Sequence, residues 1–167
     1  MTTADLAGRP GLDLADDILN FTHETDKPVY KAALNAIAQV RHVRPVFFER
    51  QPRAQRQEAM IATLSRPGLD AVAGGLIRVW LLKKHKPMLV DFLNVLGIKN
   101  DEGVVENLPE GMDDTKLKSA VETLLAKYPP ETVAVYLNAF NDMNETSWAN
   151  LKTILESDPR LQFGANV

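Results

Sequence analysis

Apolar residues recur at helical spacing along nearly the whole chain, and few folds other than a helical one can bury them. The clearest stripe runs from Asp114 to Tyr128, with charged side chains at positions between its members. Its apolar residues fall at i, i+3, i+4, i+7, i+8 and i+11: Leu117, Ala120, Val121, Leu124, Leu125 and Tyr128. This spacing is typical of a surface helix that buries one face. We expect Asp113 or Asp114 to cap that helix and the Pro129-Pro130 pair to end it.

Seven further segments predict helices by the same rule. Their approximate extents are 12–21, 28–37, 54–64, 69–81, 87–96, 130–140 and 144–155. Pro28, Pro87 and Pro130 stand in the first turn of three of them, where proline fits because its missing N–H would have no helical partner. We expect Asn144 to cap the last helix. Residues 46–48 (Val-Phe-Phe) could instead form a strand, although no second alternating run is available to pair with it.

The sequence therefore predicts an all-α fold of about eight helices, packed antiparallel because their connections are short. A length of 167 residues fits a single domain, 1–167, with two possible halves at 12–98 and 112–163 joined by the acidic segment 99–111. Lys27-Pro28, Lys86-Pro87 and Pro129-Pro130 are each followed by a Leu-Asn pair, although at unequal intervals. A short α-solenoid-like array of irregular repeats and a two-lobed bundle both stay open.

Charge is distributed very unevenly along the chain. The net charge is -3 at pH 7, but residues 1–26 hold one cation and six acids (-5), residues 27–86 twelve cations and three acids (+9), and residues 87–167 six cations and thirteen acids (-7). A basic segment of this size suggests an anionic partner, unless acidic helices of the same chain neutralise it. The pI of about 5.6 argues against a typical nucleic-acid-binding domain, whose pI is usually above about 9.

The segment that most suggests binding runs from residue 41 to residue 56 (RHVRPVFFERQPRAQR). Glu49 is its only acid, and it places five arginines around two aromatic rings: Arg41, Arg44, Arg50, Arg53 and Arg56 around Phe47 and Phe48. The planar arginine fork suits phosphate and carboxylate, and aromatic rings among cations are used to stack single-stranded nucleic acid. Alternatively, both phenylalanines belong to the core and the arginines pair with acidic helices, through residues such as Asp13, Asp16 and Asp17.

Two further features are open to either a structural or a binding interpretation. The first is the basic cluster Lys83, Lys84, His85 and Lys86, whose cations would complement a helix dipole or bind an anionic surface. The second is the Gly74-Gly75 pair inside a predicted helix, where each glycine costs about 1 kcal/mol relative to alanine. Close approach of a neighbouring helix, or a pocket beside Trp80, would explain the two glycines.

No pattern typical of an enzyme, a metal site or a cofactor site is present. The chain has no cysteine, which excludes disulfides and cysteine-ligated metals and fits a reducing cytoplasm. None of its three histidines lies four residues from another, and no phosphate-binding loop or hydrolase motif occurs. No apolar run reaches the roughly 20 residues of a membrane span. We therefore expect no catalytic residue, no metal and no cofactor.

Two functional hypotheses follow. The favoured one is a soluble, cytoplasmic and non-enzymatic helical domain for protein–protein interaction or scaffolding, with another protein or a second copy of itself as partner. The alternative is a nucleic-acid- or phosphate-binding module that uses segment 41–56. An active site assembled from distant helices stays open as a third, since a sequence pattern does not reveal such an assembly.

Overall fold

The computed structural model describes residues 11–144 and 147–163. Within these residues it contains nine α-helices, a 3-10 turn at Pro159–Leu161 and no β-strand. The helices are α1 (Leu12–Thr25), α2 (Lys27–Val40), α3 (Pro45–Glu49), α4 (Arg53–Leu64), α5 (Asp70–Lys84), α6 (Lys86–Leu96), α7 (Asp114–Lys127), α8 (Pro130–Met143) and α9 (Ala149–Ser157). The all-α prediction is confirmed.

Helix α3 is the element that the sequence did not predict. Pro45 occupies its first turn, and the preceding Arg44 is extended (φ -77°, ψ 144°), as steric contact with a following proline favours. Residues 46–48 are therefore helical, and the strand considered for them is wrong, because the described part of the chain offers no strand to pair with. Successive residues of a helix differ in direction, so Phe48 is buried while Phe47 is on the surface.

Most helix ends lie where the sequence placed them. The Asp113 carboxylate accepts hydrogen bonds from the backbone N–H groups of Thr115 and Lys116, both at 3.0 Å, and so caps α7. Gly97 ends α6 in a left-handed conformation, with φ at 73°. Asn144 is an exception, because it ends α8 instead of capping α9. Helix α9 begins only at Ala149.

The chain divides into two compact units, Met1–Trp80 and Leu81–Val167, and the division lies inside α5. The sequence placed a possible division at segment 99–111, and that assignment stays a prediction. The helices on either side of this segment, α6 and α7, pack against each other. The repeat suggested by the Lys-Pro and Leu-Asn pairs also stays a prediction, although Lys27, Lys86 and Pro130 each stand at the start of a helix.

In the first unit, α2 packs against α1, α3 and α4. The fully buried side chains of its core include Ile37, Ala38, Met60, Ala73 and Trp80. The Trp80 indole N–H donates a hydrogen bond of 2.8 Å to the Asp17 carboxylate of α1, which satisfies a polar group inside the core. These contacts fix the position of α2, from which α3 follows after four residues.

In the second unit, α8 packs against α9 and the 3-10 turn, and α7 contacts α6, α8 and α9. An aromatic cluster joins these elements. The Phe92 ring of α6 lies edge-on to Tyr136 and Phe140, with centroid distances of 5.5 and 5.4 Å, and Trp148 lies 5.4 Å from Phe140. Edge-on pairs at this distance add to the stabilisation from burial.

Segment 99–111 begins with a tight turn. Asp101 and Val104 exchange two backbone hydrogen bonds of 2.8 and 2.9 Å, while Glu102 and Gly103 take positive φ angles of 50° and 89°. The Asn100 side chain accepts a hydrogen bond from the Gly103 N–H, at 3.1 Å. A Cβ at Gly103 would lie only 2.8 Å from Leu89 Cβ, so glycine is required both by φ and by the space available.

In the second unit, Asp91, Lys127 and Tyr128 form a polar cluster that affects the ionisation of the tyrosine at alkaline pH. The Tyr128 hydroxyl donates to Asp91 Oδ2 at 2.7 Å, and Lys127 Nζ lies 3.1 Å from the same oxygen. Burial, followed by the Asp91 hydrogen bond, raises the pKa of Tyr128 to about 12. The hydrogen bond from Tyr128 in turn holds the pKa of Asp91 below its usual value. Burial is also the main cause of the raised pKa values of Tyr30 and Tyr136.

We therefore expect the folded protein to show less tyrosinate at pH 10 than the unfolded protein, and almost none from Tyr128, because an unperturbed tyrosine is half ionised at that pH. A raised pKa favours the protonated phenol in the folded state, so the stability that Tyr128 contributes is complete below pH 10 and is lost as pH rises through about 12. Tyrosinate absorbance and far-UV circular dichroism, recorded on the same samples, measure both effects. Tyr128→Phe is the control and should reduce the pH dependence of stability in that range. Ionisation with a midpoint near pH 10 in a folded protein would contradict the expectation.

Candidate functional site

Helix α3 exposes apolar side chains in the middle of the basic segment. Phe47 is 52% exposed and Val46 43% exposed, and Val40 at the end of α2 is 37% exposed. Among the described residues, these three make up half of the exposed large apolar side chains, the others being Val95, Val104 and Met143. Scattered exposed apolar residues are ordinary, but a local group of them marks a candidate interaction surface.

The two phenylalanines of segment 41–56 have different roles. Phe48 is 1% exposed and belongs to the core of the first unit, as the structural interpretation predicted for both rings. The Phe47 ring packs edge-on against the Phe48 ring, at a centroid distance of 5.8 Å. The Arg41 guanidinium lies 6.0 Å from the centre of the Phe48 ring, at the limit of a cation–π contact.

A shallow surface depression of about 490 Å³ lies beside Phe47. Its lining residues, which we call the α3 surface, are Val43, Arg44, Val46, Phe47, Arg50 and Gln51. The valines and Phe47 make its wall apolar, and the two arginines add charge at its edge. Helix α3 brings these residues together because one turn of helix separates Val46 from Arg50.

The arginines of segment 41–56 form no ion pair with an acidic helix in the part of the chain that the structure describes. There, no carboxylate lies within 4.0 Å of a guanidinium nitrogen of Arg41, Arg44, Arg50, Arg53 or Arg56. Asp17, one of the expected partners, accepts a hydrogen bond from the Trp80 indole N–H. The predicted pairing with Asp13, Asp16 and Asp17 is therefore wrong for the described residues.

The structure does not bring the five arginines together in one site. Arg44 and Arg50 belong to the α3 surface, and Arg41 lies over Phe48. Arg53 and Arg56 are on α4 and contact other residues: Arg53 Nε donates to Asn20 Oδ1 at 3.0 Å, and Arg56 lies beside the Tyr30 hydroxyl. The sequence predicted one site that contains all five arginines, and no pattern in the sequence indicates that they are separated.

The second basic cluster differs from the α3 surface, because one of its lysines is paired with a carboxylate. Lys83 and Lys84 are exposed in the last turn of α5. Lys86 Nζ lies 2.7 Å from Glu102 Oε2, and this lysine holds the pKa of the Glu102 carboxyl below its usual value. Both partners of this ion pair are largely solvated, so it contributes little to stability. The ion pair connects the turn at residues 101–104 with the first residue of α6.

The described residues form a small cavity near the glycine pair of α5. A Cβ at Gly75 would lie 3.9 Å from Val29 Cγ1, an ordinary contact, so no close approach requires glycine there. Trp80 is fully buried. The apolar cavity beside Ala73, Leu76 and Ile77 has a volume of about 20 Å³, which is room for about one water molecule.

A larger depression of about 690 Å³ lies in the second unit, and sequence reasoning missed it. It is formed over the turn at residues 101–104 and is lined by Leu82, Lys86, Lys99, Asn100, Asp101, Glu102, Val104, Glu106 and Asn107. Its lining contains two lysines and three acids, and Lys86 and Glu102 already pair with each other. The depression therefore selects no single class of ligand. The Asp-Glu-Gly sequence was a signal for the turn, but not for the space beside it.

The described residues contain no group of three or more histidines and acids that could hold a metal ion, and no described helix is long and apolar enough to cross a membrane. Comparison with protein-family models, with curated proteins and with solved structures finds no match to this chain. Function must therefore be inferred from the residues themselves. Neither arginine nor phenylalanine exchanges protons near neutral pH, so the α3 surface is suited to binding and not to acid–base chemistry.

Proposed function

We propose that this protein is a helical protein-interaction module whose α3 surface binds an acidic segment of a partner protein. The observation that carries the proposal is the half-exposed Phe47 ring beside Arg44 and Arg50, neither of which has a carboxylate within 4.0 Å among the described residues. An exposed apolar ring between two arginines without an ion pair, at the two ends of one small helix, is an unusual use of surface unless something covers it.

The composition of the α3 surface resembles that of interface centres. Aromatic residues and arginine are enriched there, and a few such residues supply most of the binding free energy. Burying the exposed half of Phe47 would contribute about 1 kcal/mol from the removal of apolar area alone. Arginine–carboxylate pairs at the edge would add orientation and a faster association rate.

These features define the chemistry of the partner segment. An apolar side chain fits the depression between Val43, Val46 and Phe47, and carboxylates on either side of that side chain would meet Arg44 and Arg50. The net charge of -3 supports a short protein segment over a polyanion, because nucleic-acid-binding domains usually carry an excess of positive charge. The exposed Phe47 ring is the one observation that favours single-stranded nucleic acid, on which a base could stack.

Fluorescence polarisation with three labelled probes tests the proposal. The probes are an acidic peptide with one central leucine, the same peptide with lysine at each acidic position, and a single-stranded oligonucleotide, each titrated with the full chain over a salt series. We expect the acidic peptide to bind at least about tenfold more tightly than the other two. Phe47→Ser, and separately Arg44→Glu with Arg50→Glu, should each weaken its binding by about tenfold or more.

The matched control reverses two other exposed arginines of the first unit, Arg66→Glu with Arg78→Glu, and should change the affinity by less than about threefold. Equal binding of wild type and Phe47→Ser would overturn the proposal. Tighter binding of the oligonucleotide would replace it with the nucleic-acid function. A dimer in light scattering that Phe47→Ser dissociates would identify a second copy of the chain as the partner.

A further inference from the structure

Two arginines one turn apart on α4 lie close to the same buried side chain. Residues three positions apart share a helix face, as Arg53 and Arg56 do. Burial raises the pKa of the Tyr30 hydroxyl, and the charges of both arginines, Arg56 before Arg53, oppose that rise. Two cations therefore lie near one phenol of α2, and among the described residues no carboxylate is within 4.0 Å of either guanidinium.

Each guanidinium has hydrogen-bonding capacity that the described residues do not use. Arg53 Nε donates to Asn20 Oδ1 at 3.0 Å, and the Gln57 side chain donates to the same oxygen. This contact with α1 orients Arg53, while no described residue accepts from its terminal nitrogens. Arg56 is half-buried, and its Nε is shielded from solvent without a hydrogen-bond partner. A partly desolvated cation with no counter-charge is destabilising until an anion arrives.

Tyr30 supplies a third donor at the same place. Its hydroxyl donates to Met60 Sδ at 3.5 Å, and a thioether is a weak acceptor that an anionic oxygen would displace. The Tyr30 hydroxyl is hydrogen-bonded to the Arg56 side chain and lies within the electrostatic influence of Arg53, so two helices supply three donor groups, and two of these groups carry a full positive charge. Arginine pairs of this kind bind oxyanions through parallel hydrogen bonds.

We infer that Arg53, Arg56 and Tyr30 form an oxyanion site that takes a phosphoryl group. A phosphoryl group carries close to two negative charges and three acceptor oxygens, which match two guanidinium groups and one hydroxyl. A carboxylate carries one charge and two oxygens, and it would leave one of the two cations without a counter-charge. The site is separate from the α3 surface in its residues and contacts, so either proposal can fail without the other.

Nuclear magnetic resonance of the 15N-labelled full chain tests the site directly, because the Nε–H signals of individual arginines can be followed. The probes are inorganic phosphate, acetate, and a peptide with and without one phosphoserine, all at constant ionic strength in sodium chloride. We expect saturable shifts of the Arg53 and Arg56 signals with phosphate, and affinity for acetate at least about tenfold lower. Tighter binding of free phosphate or of the phosphopeptide identifies which of the two carries the phosphoryl group, and both support the site.

Three variants distinguish binding from a structural role. Arg56→Gln should weaken phosphate binding by about tenfold or more, and Arg56→Lys should restore only part of it, because lysine keeps the charge but not the fork. Asn20→Asp is nearly isosteric and supplies Arg53 with an internal carboxylate, so it should also weaken phosphate binding while the chain stays folded. Arg66→Gln is the control and should leave the affinity unchanged. Shifts that acetate or chloride reproduce, or undiminished binding in Arg56→Gln or Asn20→Asp, would overturn the inference.

Discussion

Replacing Phe92 with alanine should lower the free energy of unfolding by about 3–5 kcal/mol. Phe92 is fully buried in α6, and its ring meets Tyr136 and Phe140 edge-on at 5.5 and 5.4 Å. Alanine would remove the apolar area and both ring contacts, and it would leave a cavity that helices α6 and α8 cannot fill without moving. No other ring in the described part of the chain contacts both Tyr136 and Phe140.

Urea denaturation followed by circular dichroism measures this effect. Phe47→Ala is the matched control, because it makes the same chemical change at a side chain that is 52% exposed. We expect it to cost about 1 kcal/mol or less. Similar losses for the two variants would contradict both the burial of Phe92 and the exposure of Phe47. This control also shows whether Phe47 is retained for stability or is available for binding.

The second large effect concerns Gly103. Gly103→Ala should destabilise the protein by about 2–5 kcal/mol, since it combines the cost of a positive φ, about 1–2 kcal/mol, with a clash against Leu89 Cβ. This Cβ is attached directly to the α6 backbone and cannot rotate away. Gly97→Ala is the control, because φ is also positive at Gly97 but nothing lies within 4 Å of the added Cβ.

Gly97→Ala should therefore cost only about 1–2 kcal/mol, and the difference between the two variants measures the steric contribution alone. Equal costs would show that the turn at residues 101–104 does not press on Leu89. The Gly103→Ala substitution should also change the backbone amide signals of residues 100–104, because the Asn100 side chain stabilises this turn by accepting a hydrogen bond from the Gly103 N–H.

Much of the helical fold could be predicted because it depends on local rules. The apolar stripe of α7, its Asp113 cap and the left-handed Gly97 all follow from residues a few positions apart. Helix α3 could not be predicted in this way, because five residues contain too little periodicity to distinguish a helical turn from a strand. The late start of α9 was also missed, since the side chain of Asn141, and not that of Asn144, accepts the N–H of Trp148.

The candidate site was predicted less well, and for a physical reason. The sequence shows that Phe47 and Phe48 are adjacent, but which of them is buried depends on how α2 packs against α3. The partners of Arg53 and Arg56 come from α1 and α2, more than twenty residues away in the chain. Pairing with Asp17 was a reasonable expectation from charge, but Trp80 needs that carboxylate for its buried indole N–H.

Photo-crosslinking from position 47 tests the proposed interaction module most directly. A benzophenone derivative of phenylalanine at this position keeps an aromatic ring on the α3 surface and reacts with whatever covers it. The full chain, crosslinked in a lysate of its source cells, should yield a peptide in which carboxylates flank an apolar residue. The yield should fall about tenfold with Arg44→Glu and Arg50→Glu and should be unchanged with Arg66→Glu and Arg78→Glu. Crosslinks to nucleic acid, or peptide crosslinks insensitive to reversal of Arg44 and Arg50, would contradict the proposal that this surface binds an acidic protein segment.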